Sequence, residues 1–316
     1  MSGTPPIDNA CLGKHTPTMK RLDSKTRELV AGALCEGTSI RATARLTGAA
    51  YTTVLRFVED MGWACQMYLD EHMRNLTCRR LQCDELWSFV AAKEKNVTEA
   101  MRRQVKGRPG ESAACAERNL VGSVWTWTAI DADTKLKPAF HVGTRDAWCA
   151  WHFMQDLAPR LTERVQLTTD GHHAYLSAVG LSFGHDIDYA MLVKLYGPTS
   201  DPDGRYSPPK CIGTRTDVKQ GNPDPEHIST SYVERSNLTV RMGQRRFTRL
   251  TNAFSKKCAN LEHAVALHQM HYNYVRRHKT LGTTPAVAAG IETREWTMAD
   301  LVGILEDAEA GKIAYR

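Results

Sequence analysis

Apolar residues in the first quarter of the chain recur at the spacing of amphipathic helices. They predict a helix over 25–35, a second that ends at Leu46 and a third over 51–61, with Gly48 in the turn between the last two. Residues 1–20 carry three prolines and few large apolar groups. We therefore expect a loose tail before the first helix.

The second and third predicted helices have the layout of a helix-turn-helix. Ala44 supplies a small residue where the two helices approach one another. The outward-facing Thr52, Thr53 and Arg56 of the third helix would then enter a DNA major groove. A plain three-helix bundle with a structural role produces the same pattern, so both interpretations stay open.

Strand-like patterns dominate the middle of the chain. The predicted strands cover 81–90, 121–130, 136–142, 165–169 and 189–196. The predicted helices that follow the third and later strands cover 146–161, 172–179, 231–250 and 256–277. Strands that alternate with helices in this way predict an α/β fold.

Shifts in composition divide the chain into five parts. They are a tail (1–20), a helix-turn-helix domain (21–62), a connecting helix (63–80), an α/β domain (81–291) with insertions at about 93–118 and 181–228, and a C-terminal segment (292–316).

Three carboxylates stand in settings that suggest a common site. Asp84 lies within an apolar, aromatic strand, Asp170 ends a short strand before Gly171, and Glu234 opens a basic helix. A charge in a strand interior is costly unless something pairs with it. Because acids brought together repel one another, we expect bound cations, and hard oxygen ligands favour Mg²⁺ or Mn²⁺. That chemistry suits the cutting and joining of phosphodiesters.

Each acid also has a structural explanation. Asp84 could be a surface charge, Asp170 could cap the next helix, and Ser231-x-x-Glu234 could form a capping box. Neighbouring side chains of a strand face opposite sides of the sheet. We therefore expect Glu85 to point away from the site that Asp84 faces.

The distribution of charge indicates a phosphate-rich partner. The 316-residue chain has a net charge of +6, but residues 234–279 contain ten cations against two anions. This basic block is typical of a nucleic-acid surface, although a solvated charged face would look similar. The candidate DNA-binding residues are Thr52, Thr53, Arg56, Arg241, Arg245, Arg246 and Arg249.

Cysteine spacing and hydropathy give expectations about location. The nine cysteines are scattered singly, without a Cys-x-x-Cys pair that would suggest a zinc ribbon. No apolar run approaches the ~20 residues that span a membrane. We therefore expect reduced thiols in a cytoplasmic protein without a membrane partner.

Four short segments together resemble bacterial insertion-sequence transposases of the DDE class, of the insertion-sequence-one type. They are Asp84-Glu85-x-Trp87-Ser88-Phe89, Thr169-Asp170-Gly171, Tyr232-Val233-Glu234-Arg235-Ser236-Asn237-Leu238, and His271-Tyr272-Asn273-Tyr274-Val275-Arg276-Arg277-His278-Lys279-Thr280-Leu281. The resemblance covers about 81–291. The interval of 64 residues between Asp170 and Glu234 is longer than is usual in this class, which the insertion at 181–228 would explain.

The resemblance implies an RNase H-like mixed sheet flanked by helices. It also implies that Asp84, Asp170 and Glu234 form a catalytic triad that binds two Mg²⁺ ions, with Mn²⁺ as a substitute, and that Arg241 contacts DNA. Such an enzyme would act near the bacterial nucleoid on its element's ends and on target DNA, as a homo-oligomer and without a small-molecule cofactor.

The sequence therefore predicts a transposase that cleaves the ends of its insertion sequence and joins the freed 3′-hydroxyls to target DNA. Two alternatives remain: a nuclease on the same fold, and a DNA-binding regulator descended from a transposase.

Overall fold

The computed structural model describes residues 22–105, 120–197, 211–248 and 251–311. Within these ranges the strands are β1 (Arg80–Val90), β2 (Gly122–Asp131), β3 (Phe140–Gly143), β4 (Val165–Asp170), β5 (Ile187–Tyr196) and β6 (Cys211–Gln220). The helices are α1 (Ser24–Cys35), α2 (Ile40–Thr47), α3 (Tyr51–His72), α4 (Glu99–Val105), α5 (Ala147–Leu157), α6 (Ala174–Phe183), α7 (Ser231–Gly243), α8 (Cys258–Met270), α9 (Pro285–Ala288) and α10 (Met298–Glu309). None of these helices combines the length and the apolar character needed to cross a membrane.

The strands form one mixed sheet in the order β3-β2-β1-β4-β5-β6. Strands β1, β2 and β3 are antiparallel neighbours, β4 and β5 run parallel to β1, and β6 returns antiparallel to β5. Parallel neighbours need crossover connections, which α5 and α6 provide before β4 and β5. The predicted α/β class is confirmed, and the flanked mixed sheet is consistent with an RNase H-like fold.

The two faces of the sheet are covered by different helices. On one face, Cys83 and Trp127 belong to a core that includes Phe153 of α5 and Tyr175 of α6. On the other face, Leu86 packs with residues of α7 and α8. Successive side chains of β1 therefore enter different layers of the protein.

The N-terminal helices share the core of the sheet. Val54, Phe57 and Met61 of α3 are buried in the same cluster as Trp127. Helix α3 packs along α8, and α10 packs against both α1 and α3. Because α3 runs unbroken to His72, the boundary predicted at residue 62 falls inside a helix.

The turn of the predicted helix-turn-helix is present between α2 and α3. Gly48 ends α2 in the left-handed conformation, with φ of 73°, which glycine adopts without the steric penalty of a side chain. Thr52 and Arg56 are exposed, and Thr53 is half-buried. The outward face that the sequence predicts for α3 therefore exists, while its use in DNA binding remains a prediction.

Three segments differ from the sequence-based expectation. Strand β6 lies in the insertion predicted at 181–228, and α10 lies in the C-terminal segment. The helix predicted over 231–250 ends at Gly243, because the chain turns there to bury Phe247, while the side-chain amide of Gln244 donates to the carbonyl oxygen of Ala264 at 2.6 Å. The structure gives β6 a hydrogen-bonded partner in β5, although its residues are mostly exposed and lack an apolar alternation.

The close crossing of α3 and α8 gives a stability test. A Cβ atom added at Gly62 would lie 2.5 Å from both the Cα atom and the carbonyl oxygen of His263. We expect Gly62→Ala to lower the free energy of unfolding by roughly 1–3 kcal/mol, because the backbone of α8 would have to move. Urea unfolding measures this change.

Gly32→Ala is the matched control, since nothing lies within 4 Å of a Cβ atom at Gly32 in α1. It should raise the free energy of unfolding by about 0.5–1 kcal/mol. Equal stability of Gly62→Ala and the wild type would contradict the close crossing.

Candidate metal and active site

Two of the predicted acids meet where β1 passes the end of β4. Cys83 is the register partner of Thr169, so Asp84 and Asp170 are the next residues along two parallel, adjacent strands. Asp170 is the last residue of β4. One carboxylate oxygen from each of Asp84, Glu85 and Asp170 lies within 4.8 Å of the others. The predicted convergence of Asp84 and Asp170 is therefore present.

The position of Glu85 differs from the sequence-based expectation. Its side chain does leave β1 on the opposite face from Asp84, towards Arg145, but Asp170 lies near the carboxylates of both residues. The expectation that Glu85 lies away from the site is wrong.

Asp84 is held by two hydrogen bonds. The backbone N–H of Glu85 donates to its Oδ1 at 2.8 Å, and the side-chain amide of Asn237 donates to its Oδ2 at 2.8 Å. Asn237 lies three residues after Glu234, on the same face of α7. Sequence reasoning missed this residue, although its spacing from Glu234 was a usable signal.

Glu234 lies on α7, and among the described residues the acidic cluster within 4.8 Å comprises Asp84, Glu85 and Asp170 and does not include Glu234. Glu234 Oε1 accepts a hydrogen bond from Thr230 at 2.5 Å and forms an ion pair with Lys194 of β5 at 2.5 Å. It contributes to the negative field at Asp84. The helix N-cap is Thr230, and its side chain makes no capping bond, so the capping box suggested for Ser231 and Glu234 is not formed.

The start of α7 is docked directly on β1. Gln82 Oε1 accepts hydrogen bonds from the backbone N–H groups of Tyr232 and Val233, at 2.9 and 3.1 Å. These N–H groups have no partner within a helix, so a side-chain acceptor satisfies them. Gln82 lies two residues before Asp84 on the same face of β1. This contact fixes the end of α7 that carries Glu234.

Arg145 contacts both Glu85 and Asp170. It lies between β3 and α5, and its Nε donates to Glu85 Oε2 at 2.9 Å while an Nη atom lies 3.5 Å from Asp170 Oδ2. Its guanidinium group also sits 4.9 Å from the ring centroid of Trp125. Nothing in the local sequence indicated this role, because Arg145 and Glu85 are 60 residues apart.

Burial and mutual repulsion shift the titration of the acids. Burial, followed by the charges of Asp170 and Glu234, raises the pKa of Asp84 to about 6. Burial and the charge of Asp170 raise the pKa of Glu85 to about 7, against the opposing effects of Tyr175 and Arg145. Arg145 and Lys194 therefore compensate only part of the negative charge.

Asp170 also shapes the turn that follows β4. Its Oδ1 accepts a hydrogen bond from the backbone N–H of His172 at 2.9 Å. Helix α6 begins at Ala174, with His173 as its N-cap, so Asp170 does not cap the helix. The turn instead holds the Asp170 carboxylate beside β1.

The predicted DNA-binding arginines have different surroundings. Arg245 is exposed, and Arg241 is half-buried on α7. Arg246 is half-buried, and its guanidinium donates to Ser255 at 2.7 Å. Arg245 lies beyond the end of α7, in a short 3-10 helix over Arg245–Phe247. Arg249 lies outside the described residues.

Comparison with known proteins gives matches in structure alone. No protein-family model matches the chain, and no characterised protein matches it in sequence. The chain is similar to a piggyBac transposase in a synaptic complex with hairpin DNA, with 9% identity, 96% of this chain and 76% of that chain covered, and a TM-score of 0.39.

Two structures of Mos1 transposase are also similar. One is a paired-end complex with the left transposon end, with 13% identity, 55% of this chain and 60% of that chain covered, and a TM-score of 0.19. The other is a pre-cleavage transpososome, with 12% identity, 56% of this chain and 60% of that chain covered, and a TM-score of 0.20. At these values the likeness carries no weight for function.

The raised pKa values predict how stability depends on pH without metal. Between about pH 4 and pH 7, the folded protein binds more protons at Asp84 and Glu85 than the unfolded chain does. Their contribution to the free energy of unfolding therefore falls as pH rises through this window. Urea unfolding in chelator should show a smaller fall for the Asp84→Asn, Glu85→Gln double variant than for the wild type.

The difference between wild type and variant isolates the contribution of these acids to the pH dependence of the free energy of unfolding. Buried His141 contributes in the opposite direction, because its pKa is lowered, but it is present in both proteins. Asp133→Asn is the control, because the hydrogen bond from Arg80 lowers the pKa of Asp133 out of this window. An identical fall with pH in the double variant and the wild type would contradict the assignment.

Proposed function

We propose that this chain is a metal-dependent DNA transposase of the DDE class, with Asp84, Asp170 and Glu234 as its catalytic and metal-binding residues. The observation that carries the proposal is the meeting of Asp84 and Asp170 at the junction of β1 and β4. Gln82 docks the start of α7 on β1 two residues before Asp84, which supports the choice of Glu234 as the third acid. The substrate would be the end of a bacterial insertion sequence.

The donor set fits a hard divalent cation. Carboxylate oxygens are the protein ligands that Mg²⁺ and Mn²⁺ prefer. Burial, and next the charge of Asp170, raise the pKa values of Asp84 and Glu85, so without a nearby cation their ionised forms are disfavoured. We propose two Mg²⁺ ions, with Mn²⁺ as a functional substitute.

Glu234 suits the third ligand position better than Glu85 does. The Glu85 side chain is 0% exposed and is enclosed behind Arg145. The Glu234 side chain is 41% exposed, so an ion held by Asp84 and Asp170 could reach it once Lys194 moves aside. Glu85 would then act through Arg145, by holding the guanidinium next to Asp170.

The chain's own residues prepare the site for a phosphodiester. When bound, the ions would activate a water or hydroxyl oxygen and stabilise the leaving oxygen. Asn237 holds the Asp84 carboxylate in one orientation, and Arg145, whose side chain is 37% exposed, presents a cation at the edge of the acidic cluster. Guanidinium groups bind phosphate oxygens well, so Arg145 is a candidate contact for the cleaved strand.

The proposed DNA contacts extend from this site. Thr52, Thr53 and Arg56 on α3 would read the ends of the element in the major groove. The basic residues Arg241, Arg245, Arg246 and Arg249 would hold the backbone of end or target DNA. Assembly as a homo-oligomer on DNA, and a location at the bacterial nucleoid, belong to the same proposal.

Substitutions of the triad test the proposal on duplexes made from the DNA that flanks the coding sequence. Asp84→Asn, Asp170→Asn and Glu234→Gln keep shape and remove charge. Each should lower Mg²⁺-dependent strand cleavage and joining by several orders of magnitude, and a double variant should be scarcely worse than a single one. Gel assays of cleavage and joining provide the measurement.

Glu85→Gln provides the internal comparison. Because Glu85 acts through Arg145, its loss should slow cleavage by roughly 10- to 100-fold, the range typical of residues that orient metal ligands. Cleavage without joining would instead favour a nuclease, and specific binding without cleavage would favour a regulator. Wild-type rates in all three triad variants would overturn the site.

A further inference from the structure

A small cavity lies beside Asn237, on the face of the sheet from which the Asp84 side chain projects. It has a volume of ≈ 20 Å³ and separates the β1–β2 face of the sheet from α7 and α8. Apolar residues form much of its wall, and its polar lining residues are Thr126, Thr128, Lys137, Asn237, His268 and Gln269. Thr128 is the register partner of Asp84, so both side chains leave the sheet on this face.

Several polar atoms of this lining are buried without a hydrogen-bond partner. They are the hydroxyl oxygens of Thr126 and Thr128, Asn237 Oδ1 and both ring nitrogens of His268. Buried polar groups are nearly always paired, with protein or with ordered water. A cavity of this volume holds one water-sized molecule. The unpartnered atoms around it supply the polar contacts that such a molecule needs.

Lys137 is an unusual member of the lining. It is 2% exposed, and the part of the chain that the structure describes offers it no ion pair. Its backbone is held on both sides, since its N–H donates to Asn273 and its carbonyl oxygen accepts from Gln269 and Asn273, at 2.9–3.0 Å. Its ammonium group sits 4.5 Å from the ring centroid of Tyr272. Burial, with the nearby charge of Arg276, lowers its pKa to about 7.

Asn237 connects this cavity to the active site. Its amide nitrogen donates to Asp84 Oδ2, which leaves its Oδ1 as the buried acceptor on the cavity side. An anion in the cavity would face this oxygen unfavourably. A water molecule can accept a hydrogen bond from a cation and also donate one to Oδ1.

We propose that the cavity binds one ordered water molecule that joins Lys137 to Asn237 Oδ1, and that Lys137 thereby acts as a positioning residue for Asp84. The water would accept from the Lys137 ammonium and donate to Asn237, while its other hydrogen-bonding positions meet the threonine hydroxyls and His268. The amide of Asn237 would then be fixed with its N–H groups towards Asp84. The effect on catalysis rests on the proposed function, whereas the water site does not.

Lys137→Met tests the proposal, because methionine keeps much of the length of lysine without its charge. A buried, unpaired lysine costs stability, so the variant should unfold at the same or a higher temperature than the wild type. With the flanking-DNA duplex, its kcat should fall by roughly 10- to 100-fold while its KM stays unchanged. A purely structural role for Lys137 would instead lower the unfolding temperature and the activity together.

Lys219→Met is the matched control, since Lys219 pairs with Asp217 on β6, away from the cavity. It should keep wild-type kcat. A high-resolution crystal structure gives a readout independent of activity: density for one water between Lys137 and Asn237 in the wild type, and none there in Lys137→Met. An empty cavity, a halide ion in it, or wild-type kcat in Lys137→Met would overturn the proposal.

Discussion

The repulsion between carboxylates at one point of the sheet organises the rest of the candidate site. Oxygens of Asp84, Glu85 and Asp170 lie within 4.8 Å of one another, in surroundings that penalise charge. Arg145 and Lys194 supply positive charge from two sides, but the pKa values of Asp84 and Glu85 remain raised. A fold that gathers uncompensated acids in this way is poised for a cation, and that excess of negative charge is the physical basis of the proposed metal chemistry.

The position of the acidic cluster within the sheet brings it into contact with the helical layers on both faces. Asp84 and Glu85 leave β1 on opposite faces, so one dipeptide reaches both helical layers. Asp84 meets Asn237 of α7, which also lines a small cavity, whereas Glu85 meets Arg145 before α5. Asp170, on the adjacent strand β4, lies near both acids. Each helical layer therefore contacts a different acid of the cluster.

Local patterns in the sequence were enough to predict the α/β class and the approach of Asp84 to Asp170, since both depend on strand periodicity and strand ends. They were not enough to predict what surrounds the acids. Arg145 and Lys194 reach the acids only through the pairing of distant strands. Strand periodicity places Asp84 and Glu85 on opposite faces of the sheet, and it therefore suggested that Glu85 was remote from the site. It could not show that Asp170 of β4 lies near both residues, because that contact is made between strands distant in the sequence. Strand β6 could not be predicted either, because its residues are mostly exposed and show no apolar alternation.

The most direct measurement is anomalous scattering from crystals soaked in Mn²⁺, because it locates the ion without requiring a DNA substrate. The account predicts a peak in contact with the carboxylates of both Asp84 and Asp170, and its loss in crystals of Asp170→Asn. A peak bound elsewhere, or no peak at saturating Mn²⁺, would contradict the claim that this acidic junction is a metal centre.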